Sequence, residues 1–170
     1  MRKQKGFSLI ELLIVVAIIL IIAAIAIPNL MRARMAANDS SAAASERSIV
    51  TAEIGYSAAY PTIGFAGSLA FLGGVSPCTP GTSTGCLIDN LLAVASAGSG
   101  KSGYFFNARP SVGAGTANNM FFTVGSPISA QTGTKSFCAF EDGVIRQAAS
   151  GTTAAVATEV ACEGLLPIAN

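Results

Sequence analysis

Histidine and tryptophan are both missing from the 170 residues, and the charged share is only 11%, about half that of an ordinary globular chain. Without histidine there is no imidazole to act as a general base near neutral pH and no histidine-ligated metal. Serines are plentiful, but with only Lys101 and Lys135 outside the first residues as amine partners, no nucleophile–base pair is marked by spacing. The segment "GSGKSG" at 98–103 stops short of a phosphate loop, because Ala95 stands where that motif requires glycine. Asp89, Glu141 and Asp142 do not have the spacing of an EF-hand loop. Basic residues are also too few and scattered to make a nucleic-acid surface. Net charge is +1, and without Arg2, Lys3 and Lys5 seven basic side chains would face nine acidic ones. No catalytic residue, no cofactor and no specific nucleic-acid site follows from this composition.

What the sequence has in abundance is apolar length. Residues 7–27, "FSLIELLIVVAIILIIAAIAI", contain only Ser8 and Glu11 as polar side chains. At 1.5 Å per residue such a helix crosses the roughly 30 Å hydrocarbon core of a bilayer. A secretory signal has an apolar stretch of about 7–15 residues followed by a cleavage site; this run is longer, and Ala23, Ala24 and Ala26 make a weak site. A plain anchor accounts for the length but not for Glu11, since a charged group at mid-membrane costs about 2.5–3.5 kcal/mol on insertion scales.

The stretch "KGFSLIELLIVVAIILIIAAIAIP" resembles the N-terminus of type IV prepilins, the family that includes type IVa major pilins, minor pilins and type II secretion pseudopilins. The resemblance is close from Lys5 to Pro28, looser along the helix that follows, and limited to layout in the remaining two thirds. It implies that a prepilin peptidase on the cytoplasmic side cuts between Gly6 and Phe7 and that the new Phe7 amine is N-methylated. The cut precedes the apolar segment, so that segment stays in the mature chain. The resemblance also implies a role for Glu11: pairing, in an assembled filament, with the Phe7 ammonium of a neighbouring subunit. One ion pair then replaces two desolvated charges, and removing one partner of a buried pair costs about 3–5 kcal/mol. In the family a proline at the place of Pro28 lies where the helix loosens within the filament.

Helical character continues past the apolar run. No glycine or further proline intervenes between Pro28 and Gly55, and Ala36, Ala43, Val50 and Ile54 share one side at helical spacing. Asp39, Ser41, Glu46 and Arg47 add polarity. One helix over residues 7–60 is predicted, with a kink or local melting near 24–30, because proline lacks the N–H and clashes with the preceding turn. From Pro61 the chain turns rich in Gly, Pro, Ser and Thr, and is predicted to be mainly loop, with short apolar helical pieces at 69–72 and 87–95. Four antiparallel strands are predicted at 104–107, 120–124, 135–140 and 144–147, the last two forming a hairpin around Glu141-Asp142-Gly143. The tail is expected to run back across the sheet. Tyr56, Tyr60 and Phe65 near the end of the helix are assigned to packing, with contact to neighbouring subunits in a filament as the alternative.

The fold class is therefore α+β: a long N-terminal helix, membrane-spanning in its first half, packed on an antiparallel sheet of about four strands in the pilin manner. The segments are a leader at 1–6, a transmembrane and assembly helix at 7–28, its amphipathic continuation at 29–60, a variable loop region at 61–103, and a sheet with its tail at 104–170. Cys78, Cys86, Cys138 and Cys162 permit three pairings. The resemblance places the domain that follows the apolar helix outside the cytoplasm, where disulfides are the default. It favours Cys78–Cys86, closing "TPGTSTG", and Cys138–Cys162, clipping the tail onto a strand. With no C-x-x-C and no histidine, a zinc site is not expected; a calcium site near the sheet end, as in some secretion pseudopilins, stays open.

The function the resemblance implies is that of a structural subunit polymerising into a type IV pilus for adhesion, surface motility or DNA uptake. Its partners would be further copies of itself in a helical filament, the prepilin peptidase and the pilus assembly machinery. The inner membrane would hold the precursor with its N-terminus cytoplasmic, before export into an extracellular filament. A type II secretion pseudopilin and a membrane-anchored, non-polymerising binding module are the alternatives.

Overall fold

The computed structural model describes residues 7–96, 99–111, 118–149 and 159–168. The leader, including Gly6, and much of the tail ahead of Glu159 lie outside the described residues. Helix α1 runs from Leu9 to Ala59. Its residues up to 34 form one compact unit, and from Met35 onward it belongs to a second unit that holds everything else.

The helix starts where Ser8 offers its carbonyl to the N–H groups of Glu11 and Leu12, at 3.1 and 3.2 Å. It ends before Tyr60 because Pro61 disfavours helical backbone at the residue preceding it. Residues 24–30 remain helical, so the predicted local melting is absent. Pro28 removes one donor, that for the Ala24 carbonyl, and the strong helix formers on either side keep the remaining ladder closed.

In the second unit, β1 (Tyr104–Ser111), β2 (Met120–Pro127), β3 (Lys135–Phe140), β4 (Arg146–Ala149) and β5 (Leu166–Pro167) make one antiparallel sheet in chain order. Its register runs Asn107–Val124–Cys138–Arg146–Pro167. The fold class is as predicted, with differences of extent. β1 continues to Ser111 because Arg109 and Pro110 pair with Phe122 and Phe121, and a proline is tolerated on an edge strand. β2 runs on to Pro127. β4 begins at Arg146 and not Val144, since Asp142 Oδ1 accepts the Val144 N–H at 2.9 Å and Gly143 turns with φ 71°. β5 is a short fifth strand.

The two sheet faces have different covers. Phe106, Phe121, Phe137 and Ala139 pack with Ala42, Ile49, Val50 and Tyr56 of α1. On the opposite face Phe122, Cys138 and Ala148 pack with Cys162, which lies in the short helix α4 (Glu159–Glu163). There Arg109 and Arg146 stand over the rings of Phe122 and Phe140, at 5.5 and 4.3 Å.

Between helix and sheet, residues 61–103 are tied down at three places. Asn118 exchanges backbone hydrogen bonds with Ile63 and Phe65 at 2.8 Å, and Gly64 (φ 82°) passes so close to the Asn118 carbonyl that a side chain has no room. Helix α2 (Leu69–Leu72) accepts through its last carbonyls from Gly85, Leu87 and Ile88. Helix α3 (Asn90–Ala93) is capped by Asp89, which accepts from the Leu92 N–H at 3.2 Å. Tyr56 stacks on Tyr60 and Phe65 on Phe121, at 4.9 and 4.7 Å between ring centroids, so these aromatics serve intramolecular packing.

The face that α1 buries is not the predicted one. Ala43 and Val50 are buried, but Ala36 is exposed and Ile54 is 52% exposed, whereas Asp39 and Glu46 lie inside. The small alanine side chains carried too little hydrophobic weight to set the stripe. Instead the sheet contacts the face marked by Ile49, Val50 and Tyr56, and the three acids Asp39, Glu46 and Glu53 lie along it at seven-residue steps.

Gly125 of β2 shows how close this approach is. A Cβ there would stand 2.7 Å from Glu46 Oε1 and 3.0 Å from the Phe106 ring. Gly125→Ala is therefore expected to destabilise the second unit by about 1–3 kcal/mol. Chemical denaturation of the full chain checks it, and a loss below about 0.5 kcal/mol would show that the helix retreats freely from the sheet.

Candidate assembly site

The apolar half of α1 carries the first group of residues singled out by sequence. Phe7 is 74% exposed, and every residue from 8 to 31 is exposed except half-buried Ala23. This helix is long and apolar enough to cross a membrane. Glu11 sits in its first turn, where the unpaired N–H groups and the positive end of the helix dipole favour a carboxylate. Among the described residues it has no ion-pair partner, the two ion pairs being Lys101–Asp89 and Arg146–Asp142. Pro28 is exposed on the same helix as Glu11, and Phe7 lies just ahead of that helix's start at Leu9. An exposed surface of this size and character needs a bilayer or a protein around it.

The second group is the row of acids on the sheet-facing side of α1; sequence reasoning notes Asp39 and Glu46 only as adding polarity to the helix and does not single out Glu53. Asp39, 8% exposed, accepts from the Tyr104 hydroxyl at 2.6 Å, from the Thr134 N–H at 3.0 Å and from the Thr134 hydroxyl at 2.6 Å. Burial, and then the Asp39 carboxylate, push the Tyr104 hydroxyl well above its ordinary range. Glu46 is fully buried with Oε2 against the Thr123 hydroxyl at 2.8 Å, and burial lifts its carboxyl to about 8 against the opposing effect of that hydrogen bond. Glu53, likewise fully buried, accepts from the Ala66 N–H at 2.8 Å, and burial lifts it to about 7. The available signal was the seven-residue spacing in register with Ile49 and Tyr56, which puts all three acids on the stripe of the largest side chains.

The cysteines form two disulfides, Cys78–Cys86 and Cys138–Cys162. The first closes an exposed loop that Tyr56 anchors by donating its hydroxyl hydrogen bond to the Thr82 carbonyl. The second joins β3 to α4. Lys101 of "GSGKSG" pairs with Asp89 at 3.0 Å, which gives that segment a structural partner. Asp142 is engaged by Arg146 and the Val144 N–H. Among the described residues no three Cys, Asp or Glu side chains gather as a metal-holding group.

A long exposed apolar helix thus precedes an antiparallel sheet, and comparison with known proteins bears on the N-terminal part. Residues 1–27 match the family model of the prokaryotic N-terminal methylation motif. That match places a prepilin-type methylation motif at the N-terminus of the chain. A similar curated protein is the type IV wide pilus major component PilA4 of Thermus thermophilus, 69% identical over 39 residues. That stretch covers 23% of this chain and 30% of the relative. No solved structure matches.

Proposed function

We propose that this chain is a structural subunit that polymerises through the apolar half of α1 into a type IV pilus. Adhesion, surface motility or DNA uptake would be the filament's work, and the chain itself would catalyse nothing. The observation that carries the reading is the exposed apolar helix with a single carboxylate, Glu11, five residues after the Gly6–Phe7 junction. In a bilayer that carboxylate is unfavourable; in a bundle of like helices it meets the Phe7 ammonium of another copy. The precursor would reside in the inner membrane with its N-terminus cytoplasmic, be cut by the prepilin peptidase between Gly6 and Phe7, and leave the bilayer through the assembly machinery. Exposed Ile54, Val75, Leu87 and Leu91 give the second unit apolar surface of its own to set against neighbouring copies. The stapled loop and tail suit a domain held outside the cell, where disulfides persist.

Mass spectrometry of protein sheared from the cell surface tests this. The expected chain begins at N-methylated Phe7 and is four hydrogens lighter than its reduced form. A chain that begins at Met1 and is found only in membranes would overturn the filament reading and leave a simple anchor.

A further inference from the structure

Glu46 and Glu53 lie on the seam between α1 and the sheet, and each is only half satisfied. Among the described residues Glu46 Oε1 and Glu53 Oε1 have no hydrogen-bond partner. No cation of the described residues faces them. Arg47 is on the exposed side of α1, Lys101 and Arg146 are paired with Asp89 and Asp142, Arg109 stands over Phe122 on the far side of the sheet, and Lys135 donates to Gln147. The titratable groups near the seam are Asp39, Tyr56 and Tyr60 of the helix and its end, and Tyr104 of β1. None of them is a positive charge. An ionised carboxyl in this position would be buried without a counter-ion, which proteins avoid by keeping the group neutral.

The hydrogen-bond geometry points the same way without reference to burial. The Thr123 hydroxyl oxygen lies 2.8 Å from Glu46 Oε2 and 3.4 Å from the Ala139 carbonyl oxygen. A hydroxyl has one proton and cannot donate to both. Both contacts become hydrogen bonds when Glu46 carries the proton on Oε2 and donates it to Thr123, which then donates to Ala139. A neutral Glu46 thus completes a relay from α1 through β2 to β3.

We propose that Glu46 and Glu53 make the seam between α1 and the sheet a pH-sensitive latch, closed while both carboxyls are protonated and loosened as alkali removes their protons. Glu46 is the main element, being enclosed by Gly125, Thr123 and Phe106. Glu53 is the second, holding the start of the loop region through the Ala66 N–H. Asp39, with three donors, remains as the fixed end of the seam. For both glutamates the folded carboxyl holds its proton more tightly than the unfolded one. Their contribution to stability is therefore complete below about pH 4.5 and is lost as pH rises, through about 7 for Glu53 and about 8 for Glu46. In a subunit exposed to its surroundings, external pH would then set how firmly the sheet is held on its helix. This proposal does not depend on the filament reading.

Two measurements on the full-length chain in detergent micelles test it. In wild-type protein with carbon-13 label in its glutamates, two side-chain carboxyl resonances are expected to titrate above pH 6; titration of every glutamate below about pH 5.5 would overturn the proposal. Hydrogen exchange, corrected for the intrinsic pH dependence of the amide, is then compared between about pH 6 and pH 9 over residues 39–56 and β2. Open-state population in wild type is expected to rise about tenfold or more, one unit of carboxyl shift being worth a factor of about ten. In the E46Q/E53Q double variant the rise is expected to stay within about threefold. An equal rise in wild type and variant, or none in wild type, would mean that the carboxyls do not govern the seam. Should the double variant fail to fold, the wild-type titration and exchange profiles still decide.

Discussion

Replacing Glu11 by alanine is expected to abolish surface filaments while leaving the chain in the membrane. The reason lies in where the carboxylate sits. Glu11 is in the first turn of α1 on an exposed apolar helix, and among the described residues it has no ion-pair partner. Within a bilayer its removal relieves an unfavourable group, so insertion is unimpaired or improved. Within a filament its removal strands the Phe7 ammonium of the neighbour, a loss of about 3–5 kcal/mol for a buried pair. That is roughly a hundredfold or more in the association constant at each contact, repeated along the polymer. Electron microscopy of the cell surface, with immunoblots of the membrane fraction as control, makes the comparison. Filaments in normal number from Glu11→Ala would remove Glu11 from assembly, whereas surface display without filaments, unchanged between wild type and variant, would favour the membrane-anchored binding module. Glu11→Gln, which keeps size and loses charge, separates charge from shape.

The second large effect is expected from the Cys138–Cys162 disulfide. Its two ends are fully buried, and Cys162 is the residue through which α4 joins the small core on the sheet face opposite α1. Replacing both cysteines by serine removes a closure of 24 residues and puts two hydroxyls into an apolar cluster. The expected cost is about 2–5 kcal/mol, or on the order of 10 °C in Tm for a domain of this size. Thermal unfolding followed by far-UV circular dichroism measures it. The Cys78–Cys86 bond closes an exposed loop also held by hydrogen bonds to α2, so its removal is expected to cost less. A larger loss from Cys78–Cys86 than from Cys138–Cys162 would show that the loop region, and not the tail, is the cover the sheet depends on.

These expectations differ in how far they could be read from the sequence. The apolar run, Glu11, the Gly6–Phe7 junction and the hairpin around Asp142-Gly143 are local patterns, each written in consecutive residues. The short apolar pieces at 69–72 and 87–95 were also visible, and α2 and α3 fall there. Strand ends were less legible. Whether Val144 belongs to a strand is decided by an Asp142 hydrogen bond, and whether Pro110 does is decided by β1 being an edge.

The choice of helix face shows where local reading stops. Alanine at 36 and 43, valine at 50 and isoleucine at 54 suggest one stripe, and the charges at 39 and 46 read only as adding polarity. Periodicity locates an apolar face only when the side chains on it bury much area, and alanine buries little. What decided the face was the sheet: a glycine at 125 opens room for Glu46, Thr123 supplies its hydrogen bond, and Tyr104 and Thr134 supply those of Asp39. These partners lie 65 to 95 residues further along the chain, beyond the reach of any helical pattern. The sequence by itself determined the membrane-length helix, its single carboxylate, the prepilin motif and the α+β class, because each rests on composition or spacing within a few turns. The tertiary structure alone decided which acids are buried and which carboxyls hold their protons near neutral pH, because desolvation depends on what the rest of the chain places against them.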